Sequence, residues 1–291
     1  MSELLRPFEF EFFRNGLAVA TVAGALCGLI GVFVVLRGMS YIGHGLSHAI
    51  FGGFAASGLI GVNVFLGAGA WGVASALLIG GVTRRRGIAS DAAIGVITTA
   101  SFALGLALIQ VYGSPGRDPE AALFGNVLGV ERGDVWMVVA VSVASVALVA
   151  LRYRDLLFAT FDPEVAEVTG VRTARLDALL MLVLACSILA TMNVLGVTLI
   201  AAALVIPAVV ARMLTTSFAR MLWLAALVGA VSGFVGMNAS YHLDVASGPT
   251  IVLTGAAMFT VVFTVTGIAG RRRLAGVVDH HGPVRVPLGP A

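Results

Sequence analysis

The chain has 291 residues, of which 59% are hydrophobic and 11% charged, with a formal net charge of +3 and a mean hydropathy of +1.01. Soluble domains carry about 25% charged residues, so the composition excludes a soluble globule. All 18 basic residues are arginine, and they read as charges flanking apolar segments, with no basic patch suited to nucleic acid.

Residues 1–15 mix Leu, Phe, Glu and Arg and predict an amphipathic interfacial helix. Glu3, Glu9 and Glu11 beside Arg6 and Arg14 do not fit a cleavable signal peptide. Apolar segments then follow at about 16–36, 46–62, 66–83, 92–112, 134–151, 174–192, 195–213, 220–240 and 250–269. Each approaches the ~20 residues of a bilayer-crossing helix, and none alternates as a barrel strand would. The fold class is therefore all-α: a polytopic transmembrane bundle of about nine spans. The count falls to eight if the short second and third segments form a hairpin of half-helices. Abundant Gly, 36 residues in all, lets such helices approach closely. Cys27 and Cys186 both fall inside apolar runs and read as small buried hydrophobes.

Arginine placement sets the orientation. On nine spans, one side of the membrane holds Arg6, Arg14, Arg117 and Arg132, and the other holds the remaining arginines, including Arg84-Arg85-Arg86 and Arg271-Arg272-Arg273. The arginine-rich side is cytoplasmic by the positive-inside rule, which places the N-terminus outside and the C-terminus inside. The outer loop 113–133 contains Ser114-Pro115-Gly116 and a short segment, Glu120 to Gly129, that reads as a re-entrant helix. The cytoplasmic loop 152–173 contains Phe161-Asp162-Pro163-Glu164-Val165-Ala166-Glu167-Val168-Thr169-Gly170. Asp162 suits an N-cap, Pro163 the first helical position, Glu164 the positive end of the dipole and Gly170 the stop. This predicts a two-turn helix near 161–170, either an interfacial connector or a docking knob for a cytosolic partner. Residues 270–291 read as a loose cytoplasmic tail, in which Asp279-His280-His281 is a weak metal motif.

Two polar stretches interrupt the apolar pattern. His44 and His48 are spaced so that both imidazoles share one helical face, and an ionisable group at membrane depth generally lines a cavity or pathway. Far along the chain, His242 and Asp244 lie in Ser240-Tyr241-His242-Leu243-Asp244-Val245-Ala246-Ser247-Gly248-Pro249, either as a solvated outer loop or as a re-entrant segment folding towards the first pair. Three imidazoles and a carboxylate suit a first-row divalent ion; a tetrahedral set of this kind is typical of zinc, slightly ahead of manganese, which prefers more oxygen, and Asn193 is a further neutral ligand or a helix cap. No metallopeptidase His-Glu-x-x-His is present. A P-loop needs a lysine to reach the phosphates, and the chain has none.

These residues carry a resemblance to the permease subunits of zinc and manganese ABC importers, over about residues 14–270. Its marks are Leu36-Arg37 through Ser47-His48-Ala49, Asp91-Ala92-Ala93-Ile94-Gly95, Leu123-Phe124-Gly125-Asn126, Phe161-Asp162-Pro163-Glu164, Leu204-Val205-Ile206-Pro207-Ala208, and Ser240-Tyr241 through Ser247-Gly248-Pro249-Thr250. The resemblance implies import of Zn2+ or Mn2+ across the cell membrane, with no permanently bound cofactor. It also implies a cytosolic ATPase subunit, an extracytoplasmic metal-binding protein and a second permease copy in a homodimer. His48 matches the family histidine and Asp244 lies in the family's acidic loop, so His44, His48, His242 and Asp244 are the expected metal residues. Asp162, Glu164, Val165 and Val168 are the expected contacts with the ATPase. Where the family commonly has Gly-Asp-Ala-Leu-Ser-His-Ala, this chain has Gly43-His44-Gly45-Leu46-Ser47-His48-Ala49. Imidazole in place of that acid leans the expectation towards zinc. The alternative reading is a stand-alone, proton-coupled divalent-metal transporter using the same histidines.

Overall fold

The computed structural model describes residues 6–83, 90–112, 123–125 and 129–280. After a 3-10 turn at Arg6–Glu9, the helices are α1 (Glu11–Leu36), α2 (Ile42–Ile60), α3 (Val64–Thr83), α4 (Ser90–Tyr112), α5 (Arg132–Leu151), α6 (Tyr153–Phe161), α7 (Pro163–Val168), α8 (Thr173–Leu195), α9 (Ile200–Leu214), α10 (Phe218–Leu243) and α11 (Ser247–His280). No strand occurs among the described residues. A helix forms on each of the nine apolar segments, and seven of these helices (α1, α3, α4, α5, α8, α10 and α11) are long and apolar enough to cross a membrane. At 19 and 20 residues, α2 and α3 are not half-helices; the short one is α9, with 15.

α1 lies at the centre. Its longest contact is with α10, and it also packs on α9, α5 and α8. Its glycines make this possible, because two of the contacts are backbone against backbone. A Cβ added at Gly24 would lie 2.1 Å from the carbonyl oxygen of Gly229, and one at Gly28 would lie 2.1 Å from that of Ala225. Glycine removes the side chain from the interface, so the helices approach and gain dispersion contacts that compensate for the weak hydrophobic drive within lipid. A second group, α2 with α3 and α4, packs closely together, and α8 bridges the two groups through α3 and α1.

At one end of the bundle, α5, α6, α7 and α8 form an elbow. Asp162 caps α7 by accepting a hydrogen bond from the Val165 amide at 3.0 Å, with Pro163 at the first helical position. Gly170, at φ +87°, reverses the chain. The Thr173 hydroxyl then donates to the Glu167 carboxylate and fastens α7 to the start of α8.

At the far end, three backbone segments meet. Leu123 accepts hydrogen bonds from the backbone and hydroxyl of Thr198, and the Ser247 hydroxyl donates to the Val194 carbonyl at 3.0 Å. Gly125 (φ +81°) and Gly196 (φ +73°) take the left-handed backbone this junction requires. A side chain at either would strike the opposing main chain, 2.3 Å from the Val194 oxygen or 2.4 Å from the Leu123 oxygen.

α11 runs on to His280, beyond the point near 270 where a loose tail was expected. Arg271 to Ala275 are favourable helix formers and continue the preceding turns. The re-entrant helix expected at 120–129, the Asn193 side chain and the Asp279-His280-His281 side chains fall largely or wholly outside the described residues.

Candidate metal pathway

His44 and His48 occupy the first two turns of α2. Just before them, the chain turns back from α1 through Gly38 (φ +68°). α2 can lie against α9 because position 43 has no side chain: a Cβ there would meet Leu204 Cδ1 at 2.8 Å. The two imidazoles share a face, as their spacing requires, with ring centroids 4.3 Å apart. His48 stacks on Phe102 of α4 at 4.6 Å, and Tyr41 sits 5.6 Å from His44. The Nδ1 of His48 is buried without a hydrogen-bond partner. A buried polar atom left unpaired is costly, which makes this nitrogen a candidate ligand.

His242 and Asp244 are not brought to this pair. α10 ends at Leu243 and α11 begins at Ser247, so the connection is a tight turn rather than a re-entrant segment. The Ser240 hydroxyl donates to the Val245 carbonyl at 2.6 Å, and Asp244 takes the left-handed conformation at φ 54°. Both His242 and Asp244 are exposed, and His242 rests against Tyr241. Among the described residues, no three His, Cys, Asp or Glu side chains gather closely enough to share an ion. In this conformation the candidate site is therefore the His44–His48 pair alone.

One residue pair escaped sequence reasoning. Arg37, at the end of α1, donates to Asp177 of α8 at 2.6 Å and to the Thr160 hydroxyl at 3.3 Å. Its side chain is 10% exposed, and its Nη2 finds no partner. The pair lines a cavity of about 700 Å³ that also touches Gly80 and Gly81 of α3 and Glu167 of the elbow. The available signal was Asp177 itself, an acid inside an apolar run, which requires a cationic partner.

On the outer side of the elbow, α7 presents an unpaired apolar surface. Val168 is 89% exposed and Val165 45%, with Phe161 exposed beside them. Glu164 lies exposed in the first turn.

The helical bundle has seven helices long and apolar enough to cross a membrane, and comparisons with known proteins define its class. The chain matches the ABC 3 transport family over residues 9–266. It is 38% identical over 255 residues to the manganese transport system membrane protein MntC of Listeria monocytogenes, covering 88% of this chain and 91% of that one. It is 37% identical over 255 residues to the manganese import system permease protein ScaB of Streptococcus parasanguinis, again covering 88% and 91%. A Haemophilus influenzae relative, 34% identical over 265 residues, is named for iron transport. Among solved structures, the chain resembles one from PsaBC of Streptococcus pneumoniae in complex with Fab, with a TM-score of 0.81 and 34% identity over 90% of this chain and 95% of that one.

The chain belongs to the ABC 3 transport family. It is a multi-pass permease subunit of a metal ABC transporter, and ATP hydrolysis resides on a separate subunit. The zinc preference read from His44 finds no support in these relatives, whose names point mainly to manganese.

Proposed function

We propose that this chain carries a divalent transition-metal ion inward, with manganese the leading cargo and zinc a competitor. The ion arrives from an extracytoplasmic binding protein and passes between two copies of the permease, driven by ATPase subunits docked on the cytoplasmic face. The observation that carries this reading is the His44–His48 pair, with its open nitrogen, inside a chain of a metal-transporter family. The names of the relatives support manganese.

In this reading all nine helices formed on the apolar segments cross the bilayer, the 15-residue α9 included, with the N-terminus outside and the elbow in the cytoplasm. His242 and Asp244, at the outer end, receive the ion before it reaches His44 and His48. Two ligands hold an ion weakly, which suits a conduit that must also release it. On the cytoplasmic side, Val165 and Val168 fill an apolar pocket of the ATPase while Asp162 and Glu164 face its polar rim. The capped helix reaches that partner already formed, which lowers the ordering cost of docking.

The test is metal uptake into proteoliposomes containing the permease and its ATPase. Uptake of manganese should require ATP and be insensitive to collapse of a pH gradient. Uptake that follows the proton gradient without ATP would instead establish a secondary transporter.

A further inference from the structure

Three membrane helices leave a furrow on the outside of the bundle. α1, α5 and α10 diverge around a cavity of about 450 Å³, whose floor includes Ala25 and Leu29 and whose walls include Val146 and Ala226. α1, α5 and α10 are all long and apolar enough to span. An apolar furrow at that depth faces lipid and is filled by hydrocarbon or by another apolar chain.

Length distinguishes between these occupants. The lining runs from Ser142 on α5 to Tyr153 at the start of α6, and from Ala219 to Ala230 on α10. On α10 the eleven-residue advance spans about 16 Å. That is about half of a hydrocarbon core roughly 30 Å thick, one leaflet deep. A crossing helix from another protein would need a furrow about twice as long, whereas an acyl chain needs one of this length.

The mouth has the complementary chemistry. Tyr153 and Trp223 line its end; Trp223 is 79% exposed, and such aromatic residues settle at the headgroup level. The Tyr153 ring lies 5.6 Å from that of Phe218, so the starts of α6 and α10 meet there. Exposed arginines adjoin these residues: Arg152 and Arg154 flank Tyr153, and Arg220 follows Ala219. Asp155 pairs with Arg152 at 3.2 Å, while Arg154 and Arg220 make no ion pair among the described residues.

We propose that this furrow is a binding site for one anionic phospholipid, with an acyl chain along α5 and α10 and the phosphate held by Arg154 and Arg220. The assignment depends neither on the cargo nor on which face of the membrane the mouth occupies. Juxtamembrane arginines attract anionic headgroups in either case.

The experiment is native mass spectrometry of the full-length permease with its ATPase, delipidated and titrated with phosphatidylglycerol or phosphatidylethanolamine of matched chains. The expected result is one phosphatidylglycerol retained in preference to phosphatidylethanolamine. That preference should fall about fivefold for each of Arg154→Gln and Arg220→Gln. Ala226→Phe fills the furrow and should lower retention of both lipids there. Equal retention of the two lipids by the unaltered protein, or a preference that survives both arginine substitutions, overturns the proposal. So does an Ala226→Phe protein whose subunit stoichiometry changes while its lipid retention does not, because the furrow would then be a protein interface.

Discussion

At the scale of single residues, the imidazole pair is where a small change has the largest expected effect on transport. His48 carries the open nitrogen and stacks on Phe102, so His48→Ala should abolish metal uptake while the protein still assembles with its ATPase. His44→Asp introduces a harder oxygen donor and a negative charge and should raise the manganese-to-zinc uptake ratio. Competition uptake with both ions measures this, and an unchanged ratio would remove His44 from the pathway. Arg37 is a structural counterpart. Asp177→Asn keeps the size of the side chain but leaves a nearly buried guanidinium uncompensated, at a cost of about 2 kcal/mol, because Asp177 is itself partly hydrated. Thermal unfolding in detergent should show a clear drop for Asp177→Asn, and a smaller one if Arg37→Met removes the charge at the same time. Additive losses would show that the pair is not coupled.

At the scale of elements, the helices are legible in the sequence because a bilayer imposes a one-dimensional rule: length and apolarity suffice. The α7 cap is legible for a local reason, since Asp162, Pro163 and Gly170 each act within a few residues of chain. Contacts between distant segments are not. Nothing near Asp177 in sequence points to Arg37, and nothing near Gly125 points to Gly196. His242 and Asp244 show the converse case. Their polarity suggested a long-range role, but a local hydrogen bond and the left-handed tolerance of Asp close the turn where they stand. The glycines supply a direct test of helix packing. Gly28→Ala puts a Cβ 2.1 Å from the Ala225 oxygen, whereas Gly95→Ala meets nothing within 4 Å. Because α1 and α10 touch through main chain, neither can yield by rotating a side chain, and Gly28→Ala should cost several kcal/mol. Size-exclusion profiles should show loss of monodisperse protein for Gly28→Ala and none for Gly95→Ala. Equal behaviour would mean that the close α1–α10 contact does not form in the membrane.

At the scale of the whole molecule, orientation is the property on which cargo direction depends. Arg132 pairs with Glu11 at the far end, and Val168 stands exposed on the elbow. With Cys27 and Cys186 replaced by alanine, Arg132→Cys should react with an impermeant thiol reagent from outside the cell. Val168→Cys should react only after permeabilisation. The reverse pattern would put the elbow outside and exclude a cytosolic partner there.

α8 joins these two ends. It is 23 residues long, a rod of about 35 Å. One end is bolted to the elbow through Thr173 and to α1 through Asp177. The other end is riveted into the glycine junction with Leu123 and Ser247. Only the four-residue turn 169–172 separates α7 from this rod, and the Thr173 hydroxyl clasps Glu167 across it. The elbow and the glycine junction are thus the two ends of a single rod of helix.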